Sequence, residues 1–232
     1  MKNLGIILAR KNSQRLKNKN ILKIKKLKLI EFTIIAAIKS KKFKKIIVSS
    51  DDEKILNLKK KYKLVEFLYR SKYLSGANIK VIKVVENIIS LETNKNFDNV
   101  ALMLPTCPFR DFKDIQKAFR IFKKTDSLVS VCKYNFPPEL ALIESKNKYA
   151  KYFIKKSPYL TGKTKSQNFK SVFRPNGGIY ISNIKKLKKV KSFFKGKIKL
   201  YKMPISRSID IDHKIDYEFA KMIYNKKLIS WP

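Results

Sequence analysis

Short, continuous apolar runs alternate with stretches whose apolar residues recur on a helical repeat, and this alternation leaves few architectures open. Leu4–Ala9 is one such run, closed by the polar segment Arg10–Asn20. Leu29–Ile38 carries apolar residues at helical spacing, and Lys45–Ser50 (KIIVSS) reads as a buried strand. Asp51 and Asp52 are placed to cap a helix over Glu53–Lys61, because carboxylates favour a helix N-terminus. Leu64–Leu68 is strand-like, Ile79–Leu91 an amphipathic helix, and Val100–Leu104 a buried strand ending at Pro105. Asp111–Lys123 is helical and Leu128–Cys132 a strand. This order predicts an α/β fold with a doubly wound, mostly parallel sheet, and ligands at the C-terminal ends of its strands.

Beyond about residue 133 the rhythm changes. Asn135–Pro138 and Lys155–Lys170 are polar and irregular. Gly178–Ser182 and Lys197–Lys202 look like strands of a small extended lobe within about 135–200, and Lys214–Asn225 is a closing helix. No internal repeat or linker divides the chain, so one domain is expected over 1–232.

Composition narrows the function classes. Hydrophobic residues make up 44% of the chain, enough for a substantial core. No apolar run approaches the roughly 20 residues that span a bilayer, so no membrane insertion is expected. Met1–Leu8 is too short for a secretory h-region, which makes the cytoplasm the expected compartment. Cys107 and Cys132 form no metal, redox or disulfide spacing. The formal charge of +38 creates a field that attracts polyanions. Its lysines, however, run from Lys2 to Lys227 without a basic block, zinc-finger spacing, RRM motif or basic heptad array. No specific nucleic-acid partner is therefore expected, and the field would help gather anionic substrates.

Against that lysine background the seven arginines are informative: Arg10, Arg15, Arg70, Arg110, Arg120, Arg174 and Arg207. A guanidinium grips phosphate, carboxylate or a base edge through two parallel hydrogen bonds, which an ammonium cannot copy. The segment from Ala9 to Asn20 gathers Arg, Lys, Ser and Asn donors directly after the first strand, as a triphosphate cradle would. It lacks the glycines of a P-loop or Rossmann loop, and by chemistry alone a solvated loop fits equally well. Asp210 and Asp212, read as alternating along a strand, would share one face with Ile209 and Ile211 buried on the other. Only 17 acidic residues exist, so two on one face suggest a cation between them, and Mg²⁺ carrying nucleotide phosphates fits. Capping of the last helix by Asp212 is the alternative. Arg174 and Asn176 precede Gly177-Gly178, a pair suited to a tight turn or close ligand approach.

These segments resemble, in order, those of the acylneuraminate cytidylyltransferases (CMP-sialic acid synthetases). Arg10, Ser13, Leu16, Lys19 and Asn20 match A-R-x-x-S-K-x-L-x-x-K-N, with Gln14 in place of its Lys. Ile46–Asp51 is similar to I-I-V-S-T-D, and Arg70 to the Arg of R-P-x-x-L. Leu104–Arg110 resembles Q-P-T-S-P-L-R, Arg174–Ile181 resembles R-P-N-G-A-I-Y-I, and Ser208–Asp212 matches S-I-D-I-D. The resemblance implies a nucleotide-diphospho-sugar transferase-like fold and transfer of CMP from CTP to the anomeric hydroxyl of a nine-carbon, sialic-acid-like (nonulosonic) sugar acid, releasing pyrophosphate. It implies catalytic roles for Arg10, Lys19, Asp210 and Asp212, with Mg²⁺ on the two aspartates. Arg10, Asn12, Ser13, Arg15, Asn20, Arg70, Pro105, Thr106 and Cys107 would bind nucleotide. Lys165, Gln167, Arg174, Asn176 and Gly177 would bind the sugar acid. A homodimer is also implied, one subunit's lobe completing the other's site; Phe193-Phe194 would suit that contact or the core. The sequence departs from the family at Leu104 (Gln), Cys107 (Ser), Ser166 (Arg, with Lys165 adjacent), Ala77 (Asp) and Asn78 (Thr). A Kdo-type cytidylyltransferase, or an impaired homologue holding nucleic acid on its charged surface, are the competing expectations.

Overall fold

The computed structural model describes residues 1–94, 96–123, 125–165, 169–229 and 231. The first strand, β1 (Asn3–Leu8), divides its side chains between two layers. Leu4, Ile6 and Leu8 pack on one face of the sheet, while Ile7 and the following Ala9 pack on the other. This is what a period of two requires of a strand covered on both sides. A small antiparallel pair, β2 (Lys23–Ile24) and β3 (Leu27–Lys28), leads into α1 (Leu29–Ser40). β4 (Lys45–Ser50) follows with the bounds expected of it. The helix after it is shorter than predicted: α2 (Glu53–Leu56) passes into a 3-10 turn over Asn57–Lys60. Asp52 caps it, accepting from the Lys54 N–H at 2.9 Å, whereas Asp51 has a different task described below.

β5 (Glu66–Tyr69), α3 (Val81–Ser90), β6 (Asn99–Met103), α4 (Phe112–Phe122) and β7 (Ser127–Lys133) continue the alternation. An excursion over 134–172 holds the isolated hairpin of β8 (Leu142–Glu144) and β9 (Ala150–Tyr152). β10 (Phe173–Asn183), α5 (Ile184–Val190), β11 (Ile198–Lys202) and α6 (Lys214–Asn225) complete the chain.

The main sheet has seven strands in the order β11-β7-β10-β6-β1-β4-β5. Only β10 runs antiparallel, against both β6 and β7. This corrects one expectation: β10 and β11 belong to the central sheet, and the lobe is confined to 134–172. A long-range pairing of that kind leaves no local signature in the sequence. β1 neighbours β4 on one side and β6 on the other, so the winding reverses at β1 and opens a crevice beyond its C-terminal end.

α1, α2 and α4 cover one face, α3 and α5 the other. A third apolar cluster seats α6 over α1 through Phe32, Phe109, Ile211, Ala220 and Ile223. Phe193 belongs to the core beside α3 and α5, while Phe194 lies half-exposed, edge-on to Tyr180 at 5.4 Å. Phe193 thus falls to the core reading. No helix among the described residues is long and apolar enough to cross a membrane.

Candidate active site

A cleft of about 330 Å³ opens at the switch point, beyond the ends of β1, β5 and β6. That volume lies within the range of small-molecule sites. Leu8, Leu74, Ile79, Val81, Val84 and Leu104 supply apolar wall, while Arg10, Ser13, Arg15, Lys19, Asn20, Arg70 and Thr106 supply polar wall.

The loop after β1 is held by groups that the sequence placed in it. The Ala9 N–H extends the ladder to the Ser49 carbonyl (3.0 Å), and the Ser50 hydroxyl donates to the Ala9 carbonyl (2.6 Å). The Lys11 N–H donates to Asp51 Oδ1 at 2.8 Å. Buried Asn20 closes the loop on its own start by donating to the Arg10 carbonyl at 3.0 Å. Asn20 is therefore a staple as well as a wall residue.

Arg70 is only 6% exposed, yet its Nε and Nη2 have no hydrogen-bond partner. Burial lowers its pKa, the neighbouring Asp51 charge opposes that shift, and Arg10 adds to it. The Ser13 hydroxyl, also buried on the cleft wall, is likewise unpartnered. Orphaned buried donors are costly, and a pair of them facing one cleft calls for an acceptor-rich ligand.

Asp210 and Asp212 do not line the cleft themselves, but Asp212 gathers two of the cations that do. Lys19 Nζ lies 2.6 Å from Oδ1 and Arg15 Nη2 lies 2.5 Å from Oδ2. Partial burial pushes the Asp212 pKa up, but the Lys19 hydrogen bond, with the charges of Lys19 and Arg15, outweighs it and leaves the pKa below the ordinary value. Asp210 is the reverse case. Its crowded surroundings raise its pKa, chiefly by desolvation and further by Asp212, against a Thr106 hydrogen bond and the charges of Lys19 and Arg174. The Asp210 residue is nonetheless exposed to solvent, which tempers that desolvation, and among the described ion pairs it has none.

The two aspartates do not lie on a strand. Residues 208–212 are irregular, and their shape comes from specific bonds: the Ile211 N–H reaches the Thr106 carbonyl at 2.8 Å while its side chain is fully buried. Burying such a side chain contributes about 2 kcal/mol, which anchors the turn between the two carboxylates. Nor does Asp212 cap the last helix. Asp216 does that, accepting from the N–H groups of Asp212 (3.0 Å) and His213 (2.7 Å), and this leaves the Asp212 carboxylate facing Arg15 and Lys19.

Several expected ligand residues are elsewhere. Asn12 is exposed and does not line the cleft. Cys107 is fully buried; its thiol donates to the Arg207 carbonyl at 3.6 Å, and burial pushes its pKa up to about 12. Arg110, in the same motif, is fully buried too. It donates to the Gly178 carbonyl (2.8 Å) and, more weakly, to those of Cys107 (3.4 Å) and Leu104 (3.5 Å), so it staples the motif loop to β10. Asn176 is fully buried as well. Its Oδ1 accepts from Ser130 Oγ (2.6 Å) and its Nδ2 donates to Ser208 Oγ (2.8 Å), which makes it scaffold. Gly177 has φ +71°, and a Cβ there would stand 3.2 Å from Leu104 Cδ1; its N–H donates to the Tyr180 hydroxyl at 3.0 Å. Arg174 lies half-buried on β10 opposite Cys132, close enough to Asp210 to lower its pKa. Lys165 is exposed in the lobe, and Gln167 and Ser166 lie outside the described residues. Sequence reasoning missed Arg207 and Asp114, whose bidentate pair sits beneath the acidic turn. The available signal was Arg207 itself, one of the few arginines kept in a lysine-rich chain.

A family profile described as Cytidylyltransferase matches residues 4–230. The chain belongs to the cytidylyltransferase family. It is 30% identical over 228 residues to an N-acylneuraminate cytidylyltransferase of Escherichia coli, covering 97% of this chain and 52% of that one. It is 29% identical to a pseudaminic acid cytidylyltransferase of Campylobacter jejuni, covering 97% of both chains. It is 32% identical to a CMP-N,N'-diacetyllegionaminic acid synthase of Legionella pneumophila, covering 96% of each. The chain thus spans about half the length of the E. coli relative and nearly all of the other two. Among solved structures, a CMP:2-keto-3-deoxy-manno-octonic acid synthetase complexed with CTP aligns with a TM-score of 0.70 at 13% identity, over 98% of this chain and 100% of that one. A 4-diphosphocytidyl-2C-methyl-D-erythritol synthase from Anaerococcus prevotii gives 0.67 at 15%, over 97% of this chain and 96% of that one. These two likenesses establish the nucleotidyltransferase fold.

Proposed function

We propose that this cytidylyltransferase transfers CMP from CTP to the anomeric hydroxyl of a nonulosonic, sialic-acid-like sugar acid and releases pyrophosphate. The observation that carries the reading is Arg70: a nearly buried guanidinium with two unpartnered nitrogens on the wall of a nucleotide-sized cleft. The relatives near 30% identity are named for nonulosonic acids, whereas the likeness to the 2-keto-3-deoxy-manno-octonic acid enzyme is at 13% identity and concerns the fold. That favours the nine-carbon substrates over the Kdo type.

In this reading the cytosine lies against the apolar wall near Leu74, Ile79 and Val84, with Arg70 meeting its acceptor edge. Arg10, Arg15, Lys19 and the Ser13 hydroxyl take the phosphates. Asp212 holds Arg15 and Lys19 in place beforehand, so little reorganisation is needed when charge develops on the departing pyrophosphate. The sugar hydroxyl attacks the α-phosphorus, the bond to pyrophosphate breaks, and positioning with electrostatics supplies most of the rate. Arg174, whose charge reaches Asp210, would take the sugar carboxylate.

Asp210 and Asp212 fit Mg²⁺ by donor chemistry: hard oxygens on two electrostatically coupled carboxylates, of which Asp210 has no described ion pair. No cluster of three or more His, Cys, Asp or Glu suited to a metal forms among the described residues, so an ion here would draw its remaining ligands from phosphate and water. Bound there, Mg²⁺ would neutralise phosphate charge.

A homodimer is part of the proposal. Among the described residues, ten of the 23 exposed large apolar side chains fall in 134–172, a concentration that suits burial against a second copy. A cytoplasmic location suits both a nucleotide substrate and two unpaired, buried cysteines.

The deciding assay measures pyrophosphate release from each nucleoside triphosphate against a panel of nonulosonic acids and Kdo. Release that requires CTP and a nine-carbon acid is expected. Activity with Kdo alone, or none with any sugar acid, would overturn the substrate assignment.

A further inference from the structure

The acidic turn that carries Asp210 and Asp212 has no regular secondary structure, so something else must fix it. The strongest tie lies beneath it. Asp114 is 1% exposed, in the first turn of α4, where it and Asp111 cap the helix reciprocally (2.7 and 2.9 Å). Arg207 grips Asp114 with both arms, Nη1 to Oδ2 at 2.6 Å and Nη2 to Oδ1 at 3.0 Å, and Nη1 also lies 3.0 Å from Asp111 Oδ2. The Tyr201 hydroxyl donates to the same Asp114 Oδ1 at 2.6 Å. Burial raises the Asp114 pKa, while the Tyr201 and Asp111 hydrogen bonds and the Arg207 charge oppose that shift.

The backbone at Arg207 is fixed as firmly as its side chain. Its carbonyl accepts the Cys107 thiol, and the next residue, Ser208, is fully buried. The Ser208 hydroxyl accepts from Asn176 Nδ2 and donates to the Pro204 carbonyl, each at 2.8 Å. From this anchored point the chain takes three residues to reach Asp210. Arg207 itself does not line the cleft.

We propose that Arg207 is a positioning residue for the transfer reaction: clamped by Asp114 and Asp111, it sets the 208–212 backbone so that Asp210 and Asp212 converge on one cation. The proposal rests on the nucleotidyl-transfer reading above. It requires the planar fork, because two parallel bonds fix an orientation that a lysine ammonium leaves free. It also accounts for an arginine kept at a place that does not line the cleft.

The test compares Arg207→Lys and Tyr201→Phe with Glu31→Gln, a change in a buried carboxylate network on α1, away from the cleft. Three quantities are read: Mn²⁺ binding with CTP present by electron paramagnetic resonance, the Mg²⁺ concentration for half-maximal pyrophosphate release, and Tm from the fluorescence of Trp231. Loss of an outer support typically weakens metal binding 10–100-fold, so Arg207→Lys is expected to weaken Mn²⁺ binding about tenfold and raise the Mg²⁺ requirement in step. It should lower kcat while the KM for CTP stays within about twofold. Tyr201→Phe should move the same way by less. Glu31→Gln should lower Tm alone. A folded Arg207→Lys protein with wild-type Mn²⁺ affinity, or a Glu31→Gln protein with an equal cation defect, overturns the proposal. If Arg207→Lys fails to fold, Tyr201→Phe decides by the same criterion. A wild-type protein that binds neither CTP nor Mn²⁺ would overturn the transfer reading, and the positioning role with it.

Discussion

Arg70 stands 3.8 Å from Asp51, near enough to feel its charge and too far to donate a hydrogen bond to it. Asp51 Oδ1 is already taken by the Lys11 N–H, so the carboxylate orients the guanidinium without satisfying it. The first prediction follows from that division. Arg70→Met should weaken CTP binding by roughly 10–100-fold, since hydrogen bonds from a charged group are worth about 1.5–3 kcal/mol. The same change should leave the ligand-free Tm unchanged or higher, because it replaces an unsatisfied buried charge with an apolar chain of similar volume. Calorimetric titration with CTP and a thermal scan measure the two effects. Wild-type CTP affinity in the variant would remove Arg70 from the nucleotide site.

A second prediction concerns the stability of the α1 face. Buried Glu31 accepts from Lys61 Nζ at 2.6 Å, the Tyr62 hydroxyl at 2.7 Å and the Lys28 N–H at 2.9 Å. Burial alone would raise its pKa, but the Lys61, Lys28 and Tyr62 hydrogen bonds and the Lys61 charge together carry it below the ordinary glutamate value. A carboxylate with a depressed folded pKa contributes stability that is present above its unfolded pKa and is lost as the pH falls through the folded one. Glu31→Gln should therefore cost about 2 kcal/mol at pH 7. The gap to wild type should narrow as the pH drops below about 4.5. Thermal scans across pH 7 to 3 would show it, and a gap independent of pH would contradict the assignment.

Legibility in the sequence tracked how local the cause was. β4 and α6 appear with the bounds their own residues predict, because burial runs and helix spacing act within a few positions. β10 could not be placed from its own residues: its partners on β6 and β7 lie 40 or more positions away in the chain. The cleft was legible where loops follow parallel strands, which brought Arg10, Ser13, Arg15, Lys19 and Thr106 together as expected. Cys107 and Asn176 look like ligand residues in the sequence because they, like Arg110, share motifs with other expected ligand residues. Their side chains turn inward and hold those motifs against each other. A motif records that residues are needed together and does not separate the contact from its support. The sequence pattern of Asp210 and Asp212 suggests strand alternation, whereas both lie in an irregular segment tied by the Ile211 anchor and the Arg207 clamp.

The lobe yields a third prediction. Ile143, on the hairpin outside the main sheet, and Phe153, just past its second strand, are 48% and 61% exposed. If a second copy covers them, the wild type should sediment at twice its 27.2 kDa mass. Ile143→Glu with Phe153→Glu should give monomers, since burying two carboxylates in an apolar contact costs several kcal/mol. A monomeric wild type would refute the dimer.

The last prediction separates the charged surface from the charged site. With +38 spread over the chain, duplex DNA should bind weakly and lose affinity steeply as salt rises, because each phosphate contact releases counterions. Arg174→Lys keeps the charge and should leave that binding unaltered. Toward a carboxylate the two side chains differ. Arg174 carries the guanidinium proposed to meet the sugar carboxylate, and its charge also reaches Asp210 in the acidic turn. A carboxylate held by a guanidinium through two bonds loses its orientation when an ammonium replaces the fork. The variant should therefore lose roughly tenfold in kcat/KM for the sugar acid, with CTP binding unchanged. Steady-state kinetics with the sugar acid varied, beside a CTP titration and a DNA titration at two salt concentrations, measures all three. Unchanged sugar kinetics would exclude Arg174 from carboxylate recognition. Tight, sequence-selective DNA binding at physiological salt would instead make the surface, with its excess of lysine, a functional site in its own right.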